Sequence, residues 1–343
     1  MKKKGYLWLL TLFFLVACSQ QEEIESSVED KTPPESYVVS IGLSGEFIET
    51  TTESLSTRLG TPTNDVYGIN VYYDKDDDDL INDLYAYGLF DNREDMTITL
   101  LSGHKYKFEC SLIKDAKTTL FYGQCFGKAY SGFAYPFQTG NQSSTMVENR
   151  FIIGTSTYLT GIKNGAAHTA SVTSPSTSNA NSYASVNRFY GETTDYTPTQ
   201  GGTVTIELKR VVFGAKFIIQ GVAQGTLTAS CGSFWSKTVT ADDEGSTTIY
   251  TFPNVYDCWK NGTDLTATVN LSFVSDRGSY WNLSRSSSVT FKRNVMTTVT
   301  IDVTPDLSSG NINFTEEEMT VDNDINLGIN SDGLIDVIVN PVN

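Results

Sequence analysis

Cys18 closes the run Leu15-Val-Ala-Cys18, and Arg58 lies within Glu53-Ser-Leu-Ser-Thr-Arg58-Leu-Gly-Thr61. The cysteine follows Lys2-Lys3-Lys4, an apolar stretch from Gly5 to Val16, and the small Ala17. That is the setting of a bacterial lipobox, in which a peptidase cuts before the cysteine and the thiol carries the lipid. The apolar stretch is too short to span a bilayer comfortably. Buried acyl chains contribute about 0.8 kcal/mol per methylene, so a multiply acylated cysteine would hold firmly. Arg58 is the first arginine of the chain and ends a Glu/Ser/Thr-rich run. It is either a solvated loop cation or a mark read by something that recognises arginine.

Four cysteines remain beyond Cys18: Cys110, Cys125, Cys231 and Cys258. In an exported chain they permit two bridges, with Cys110 to Cys125 and Cys231 to Cys258 as the sequence-local pairing. Four buried thiols acting as small hydrophobes is the equal alternative. No Cys/His spacing points to zinc, and no cofactor is expected. The two histidines, His104 and His168, lie far apart and read as surface residues. No GxSxG, HExxH or phosphate-loop motif accompanies them, so no enzymatic activity is expected. Asp74, Asp76 and Asp78 match the first three ligand positions of a calcium loop. Asp79 stands where that loop needs glycine and Tyr85 where it needs glutamate, so a solvated acidic turn is the better reading. Forty acids give many accidental carboxylate pairs, and no local motif selects a glycosidase pair among them. Trp235, Trp259 and Trp281 could stack on sugars, though core packing in a sandwich is the better reading.

The elements that would position these residues are strands. The 343 residues suggest roughly two domains. Short alternating runs bounded by Gly, Asn, Asp and Pro indicate an all-β sandwich architecture. Tyr37, Val39, Ile41 and Leu43 share one face of the first run, and Val66–Tyr73 and Leu84–Phe90 follow. The stretch 96–112 reads as two strands joined at Ser102-Gly103, and 288–303 has a similar shape, a faint internal echo. The expected order is a signal peptide over 1–18, a flexible acidic tether over 19–36, a sandwich over 37–160, a Ser/Thr/Asn-rich linker or insertion over 161–200, a second sandwich over 201–306 and an extension over 307–343. In that extension an acidic linker precedes an isolated late strand, Gly333–Val339, with Ile335, Val337 and Val339 on one face. The formal net charge of −16 argues against nucleic acid as a partner.

Several of these pieces together resemble the Bacteroidota fimbrillin superfamily, the type V pilins and their relatives. They are the lipobox ending at Cys18, the strand Val38-Val-Ser-Ile-Gly-Leu-Ser-Gly45 followed by a loop arginine, the run 203–219 with Arg210, and the pair 289–303. Gln20-Gln-Glu-Glu23 also resembles the acidic signal that sends such lipoproteins to the outer face of the outer membrane. The resemblance implies two transthyretin-like, Greek-key β-sandwich domains in tandem. It implies a lipid-anchored surface precursor cut between Arg58 and Leu59, which loses the strand Tyr37–Ile48. The vacated slot would then be filled by a C-terminal strand of another fimbrial subunit, for which Ile335, Val337 and Val339 mark this chain's own candidate donor. Adhesion to a host protein or glycan follows as the expected role. A monomeric surface lipoprotein that binds glycan or another ligand is the alternative.

Overall fold

Alternation of apolar and polar residues decides which side chains turn inward. In Thr203–Arg210, Val204, Ile206 and Leu208 are buried while Thr203, Thr205 and Glu207 are exposed. The computed structural model describes residues 35–47, 64–76, 80–124, 131–140, 144–173, 175, 179–222, 225–274, 280–281, 286–303, 310–319, 325–329 and 335–339. Cys18, Arg58, Leu59 and Cys125 lie outside them.

The first part of the chain runs β1 (Ser36–Gly45), β2 (Val66–Tyr73), β3 (Asp83–Phe90), β4 (Thr97–Leu101), β5 (Tyr106–Ile113), the short helix α1 (Ala116–Thr119), β6 (Tyr122–Gln124), β7 (Ser131–Phe133), β8 (Phe151–Ile153), β9 (Arg188–Tyr196) and β10 (Thr203–Arg210). The second runs β11 (Val212–Gln220), β12 (Thr226–Cys231), β13 (Trp235–Val239), β14 (Thr247–Thr251), α2 (Val255–Asn261), β15 (Leu265–Val274), β16 (Tyr280–Trp281), β17 (Ser286–Phe291), β18 (Val295–Val303), β19 (Gly310–Glu318), β20 (Ile325–Ile329) and β21 (Ile335–Val339). The fold is all-β, as the sequence led one to expect.

The first sheet has the order β4-β1-β10-β9-β5-β2-β3-β8. β10 and β9 pair only at Lys209↔Tyr190 and Arg210↔Phe189. The sheet turns over there, and Val39, Ile41, Ile98, Leu100 and Val204 meet Ile69, Val71, Phe108 and Leu112 in one core. The second sandwich sets β19-β18-β11-β14-β21-β20 against β13-β12-β15, with β16 and β17 also pairing to β15. Phe213, Phe217, Val299 and Ile301 pack there with Leu227, Val269, Phe273 and Phe291. Each sandwich opens alike: β1 lies between antiparallel β4 and parallel β10, and β11 between antiparallel β14 and parallel β18. The repeat therefore lies in these opening strands and not in 96–112 and 288–303, whose strands occupy unlike places in the two sheets.

Five expectations change in the structure. The second sandwich, expected from 201, begins later: β10 closes the first sandwich and β11 opens the second, with the change of sheet at Val211. Within the linker or insertion expected over 161–200, the segment 165–184 contributes to a third core. Ala167 and Ala184 join Leu120, Phe133, Phe137, Leu159, Ile162 and Val186 over the outer face of β2 and β5. Gly68 of β2 makes that closeness possible, because a Cβ there would stand 2.7 Å from the Phe137 ring. His168 is fully buried in this layer, its Nδ1 accepting from the amide of Tyr135 at 3.3 Å, while His104 stays part-exposed beside Asp74. Low apolar content hid this layer, because Ala and a backbone-bonded His carry little hydrophobic signal.

The acidic linker is in part β19, paired with β18 from Val295↔Glu318 to Val303↔Gly310. Its Glu316-Glu-Glu318 run sits on a sheet edge, where charge discourages further pairing. The late strand is not isolated either. β21 forms a hairpin with β20 and meets β14 at Thr247↔Val337.

Candidate functional site

The first strand holds the position that gives the fold its functional interest. Its N-terminal half pairs with β4, from Ser36↔Leu101 to Ser40↔Thr97, and its C-terminal half with β10, from Ser40↔Thr203 to Gly45↔Leu208. Further backbone bonds run from Ile41 N to Met96 O (2.8 Å) and from Glu46 N to Leu208 O (2.9 Å). Val39 and Ile41 are buried in the core, with Tyr37 and Leu43 at its margin, so the four residues share one face as expected. Val38 points outward and is 58% exposed. Among the described residues, β1 is thus a central strand of its layer that belongs to the chain's N-terminal end. Removing it would leave unpaired donors and acceptors on both β4 and β10, together with an apolar trench.

Its C-terminal end is held by charge. Gly45 turns out of the strand at φ 108°, and a Cβ there would lie 2.2 Å from Leu208 O, so no other residue fits without displacement. Glu46 follows. Its carboxylate accepts from the backbone amide of Arg210 (2.8 Å) and from Arg293 Nη1 (2.9 and 2.6 Å). Arg293 Nη1 also donates to Arg210 O at 3.1 Å. The Arg210 side chain is buried and donates to Asn187 Oδ1 (2.9 Å) and Asn294 Oδ1 (3.1 Å). Burial pushes its guanidinium down to about 10, and the Glu46 carboxylate partly offsets this. Glu46, Arg210 and Arg293 therefore join the end of β1, the end of β10 and the β17–β18 turn.

A second buried arginine fastens the insertion. Arg188 is fully buried, with Nε donating to Ser111 Oγ (3.0 Å), Nη1 to Asn164 O (2.7 Å) and Nη2 to Gly161 O (3.0 Å) and Ile162 O (2.9 Å). Desolvation pushes its pKa down to about 9, which leaves it charged at neutral pH. Nearby, Lys163 bridges Glu109 (2.7 Å) and Glu192 (3.0 Å), whose side chains are almost wholly buried. Nothing in the sequence marked Glu46, Arg188, Glu109 or Arg293. Arg210 was noted only as part of the family resemblance.

Among the described residues the other candidates do not assemble into a site. Among the described residues Cys110, Cys231 and Cys258 stand as free, buried thiols, which is the second of the two alternatives the sequence left open. Cys231 and Cys258 fill the second core as small hydrophobes from β12 and α2. Burial pushes each up to about 12, which makes them poor thiolates. Trp235 stacks on Phe217 with ring centroids 3.7 Å apart, and Trp259 packs edge-on to Tyr190. Both belong to the packing of the second core and do not form a sugar platform. Among the described residues no group of three metal-ligating side chains converges, and Asp74 accepts instead from the amide of Lys105 at 2.7 Å.

No family model matches the chain, and no curated protein matches it. Its neighbours among solved structures include proteins described as fimbrial, adhesion and polysaccharide-binding proteins. A candidate cell adhesion protein from Bacteroides eggerthii is 12% identical, with 84% of this chain and 97% of that one covered at a TM-score of 0.35. The tip fimbrial protein of Porphyromonas gingivalis, truncated at its C-terminus, is 8% identical, with 83% and 100% covered at 0.32. A fimbrial assembly protein from Parabacteroides distasonis is 13% identical, with 83% and 96% covered at 0.31. They are of the kind the sequence resemblance named.

Proposed function

We propose that this chain is the precursor of a fimbrial subunit, lipid-anchored through Cys18 at the outer membrane and exposed on the cell surface. It matures by cleavage between Arg58 and Leu59 and joins other fimbrial subunits by β-strand addition, serving adhesion. The observation that carries this reading is the place of β1, a strand paired on both sides yet borne by the N-terminal segment that the cut would detach. One cleavage would release the lipid tether and vacate a strand slot together. The exposed backbone groups of β4 and β10, with pockets for alternate side chains, are what strand addition uses. The C-terminal β21 supports the donor role through its shallow attachment, since Thr247↔Val337 is its one described register pair with β14. Contacts of this head-to-tail kind do not close, so they extend into filaments.

Hydrogen exchange tests the opening of the slot. After digestion of the folded chain with an arginine-specific endopeptidase, the amides of Thr97–Leu101 and Thr203–Leu208 should lose at least about tenfold in protection, while those of β12 and β15 stay protected. Unchanged protection in β4 and β10 after complete cleavage at Arg58 would remove the reading.

A further inference from the structure

The end of the first strand carries more information than a strand slot requires. Arg293 Nη1 and the backbone N–H of Arg210 converge on one carboxylate, and the amide of the same residue bonds Leu208 O. Directly before it, the backbone passes so close to Leu208 O that a glycine is needed. If β1 departs, Glu46 departs with it, and this carboxylate cradle is left facing solvent. Arg293 is a fixed cation there, held against Arg210 O on the β17–β18 turn of the second sandwich.

We propose that this cradle selects the strand that fills the slot, admitting one with apolar residues at alternate positions followed by glycine and an acidic side chain, donated by a subunit other than a copy of this chain. The proposal rests on the cleavage and slot reading given above. The occupant's chemistry is set by what the slot now holds: Val39, Ile41 and Leu43 on the inward face, then Gly45, then Glu46. A carboxylate meeting a guanidinium and a backbone N–H makes charge-assisted bonds, roughly twice as strong as neutral ones. A strand lacking it would leave the Arg210 amide without its acceptor and Arg293 without its counter-charge.

This chain's own C-terminal strand does not meet the requirement in either register. With Ile335, Val337 and Val339 in the places of Val39, Ile41 and Leu43, Pro341 falls on the Gly45 position and Val342 on the Glu46 position. Proline cannot adopt the positive φ found there. Shifted by two residues, Val339 takes the glycine position, where its Cβ would strike Leu208 O, and Asn340 takes the acidic one. Neither arrangement presents a carboxylate. Copies of one chain would then be disfavoured as neighbours at this slot, and the site would order unlike subunits.

The test uses the full chain, cut at Arg58 and freed of its N-terminal fragment. Binding of fluorescent peptides is measured for residues 36–47, the same peptide with Glu46→Gln, and residues 333–343. The native peptide should bind at least about tenfold more tightly than the Glu46→Gln peptide, given the usual cost of losing a hydrogen bond to a charged group. The 333–343 peptide should bind no better than the Glu46→Gln one. In a chain carrying Arg293→Met the preference for Glu46 over Gln should shrink toward one. Equal binding of the two 36–47 peptides, or tight binding of 333–343, overturns the selection while leaving the slot in place. Binding by none of them overturns the slot reading itself, and the selection with it.

Discussion

Replacing Arg188 by leucine is expected to remove about 4 kcal/mol of folding stability. The guanidinium is the donor for Ser111 Oγ and for the carbonyls of Gly161, Ile162 and Asn164, and the first three of these bonds are buried while that to Asn164 is part-buried. Leucine fills the volume but donates nothing, and each orphaned buried acceptor costs about 1–3 kcal/mol before relaxation. Water admitted to the gap and the burial of the leucine side chain offset part of the sum. Arg188→Lys keeps the charge with a single ammonium in place of the planar fork, so it should recover only part of the loss. Arg150→Leu is the contrast, because Arg150 is 69% exposed and bonds Glu148 directly at the solvated surface. Its effect should stay within about 0.5 kcal/mol. Chemical denaturation of the three variants checks the order. A loss under about 1 kcal/mol for Arg188→Leu would mean that the carbonyls of 161–164 find other donors.

Arg58→Ala is expected to abolish the appearance of the protein in heat-resistant, high-molecular-mass species on the cell surface, while the amount of folded chain stays the same. The effect is all-or-none because an uncut chain keeps β1 in its slot. Val39 and Ile41 are buried there, and the backbone bonds on both sides are already made. An incoming strand would have to displace a covalently linked copy whose effective concentration is in the millimolar range. Immunoblots of unheated and boiled surface fractions from wild-type and variant cells make the comparison. Equal ladders from both would separate assembly from cleavage.

What the sequence disclosed, and what it hid, follows from the physics of each segment. The strands with strict alternation, such as Val204-Thr-Ile-Glu-Leu208, were legible residue by residue, because period-two burial writes itself into composition. The first strand was placed correctly for the same reason, and so was its inward face. The change of sheet at Val211 was not legible, since β10 and β11 run on in one apolar pattern and only tertiary pairing separates them. The share of 165–184 in the third core was missed because it consists of Ala167, Ala184 and a hydrogen-bonded His168, while the large apolar side chains they pack on lie elsewhere in the sequence. The Glu46 cradle had no signal at all. Its three participants, Glu46, Arg210 and Arg293, are spread over 247 positions of the chain. A single acid after a glycine looks like any turn until its partners are brought to it.

The central claim is that this chain reaches its working form by losing β1 through a cut after Arg58. The most direct measurement is the N-terminal residue of the protein isolated from the cell surface, by Edman degradation or terminal-peptide mass spectrometry. The account predicts Leu59 in the wild-type protein and lipidated Cys18 in Arg58→Ala. A wild-type protein that begins at Cys18, with β1 still attached, would contradict it.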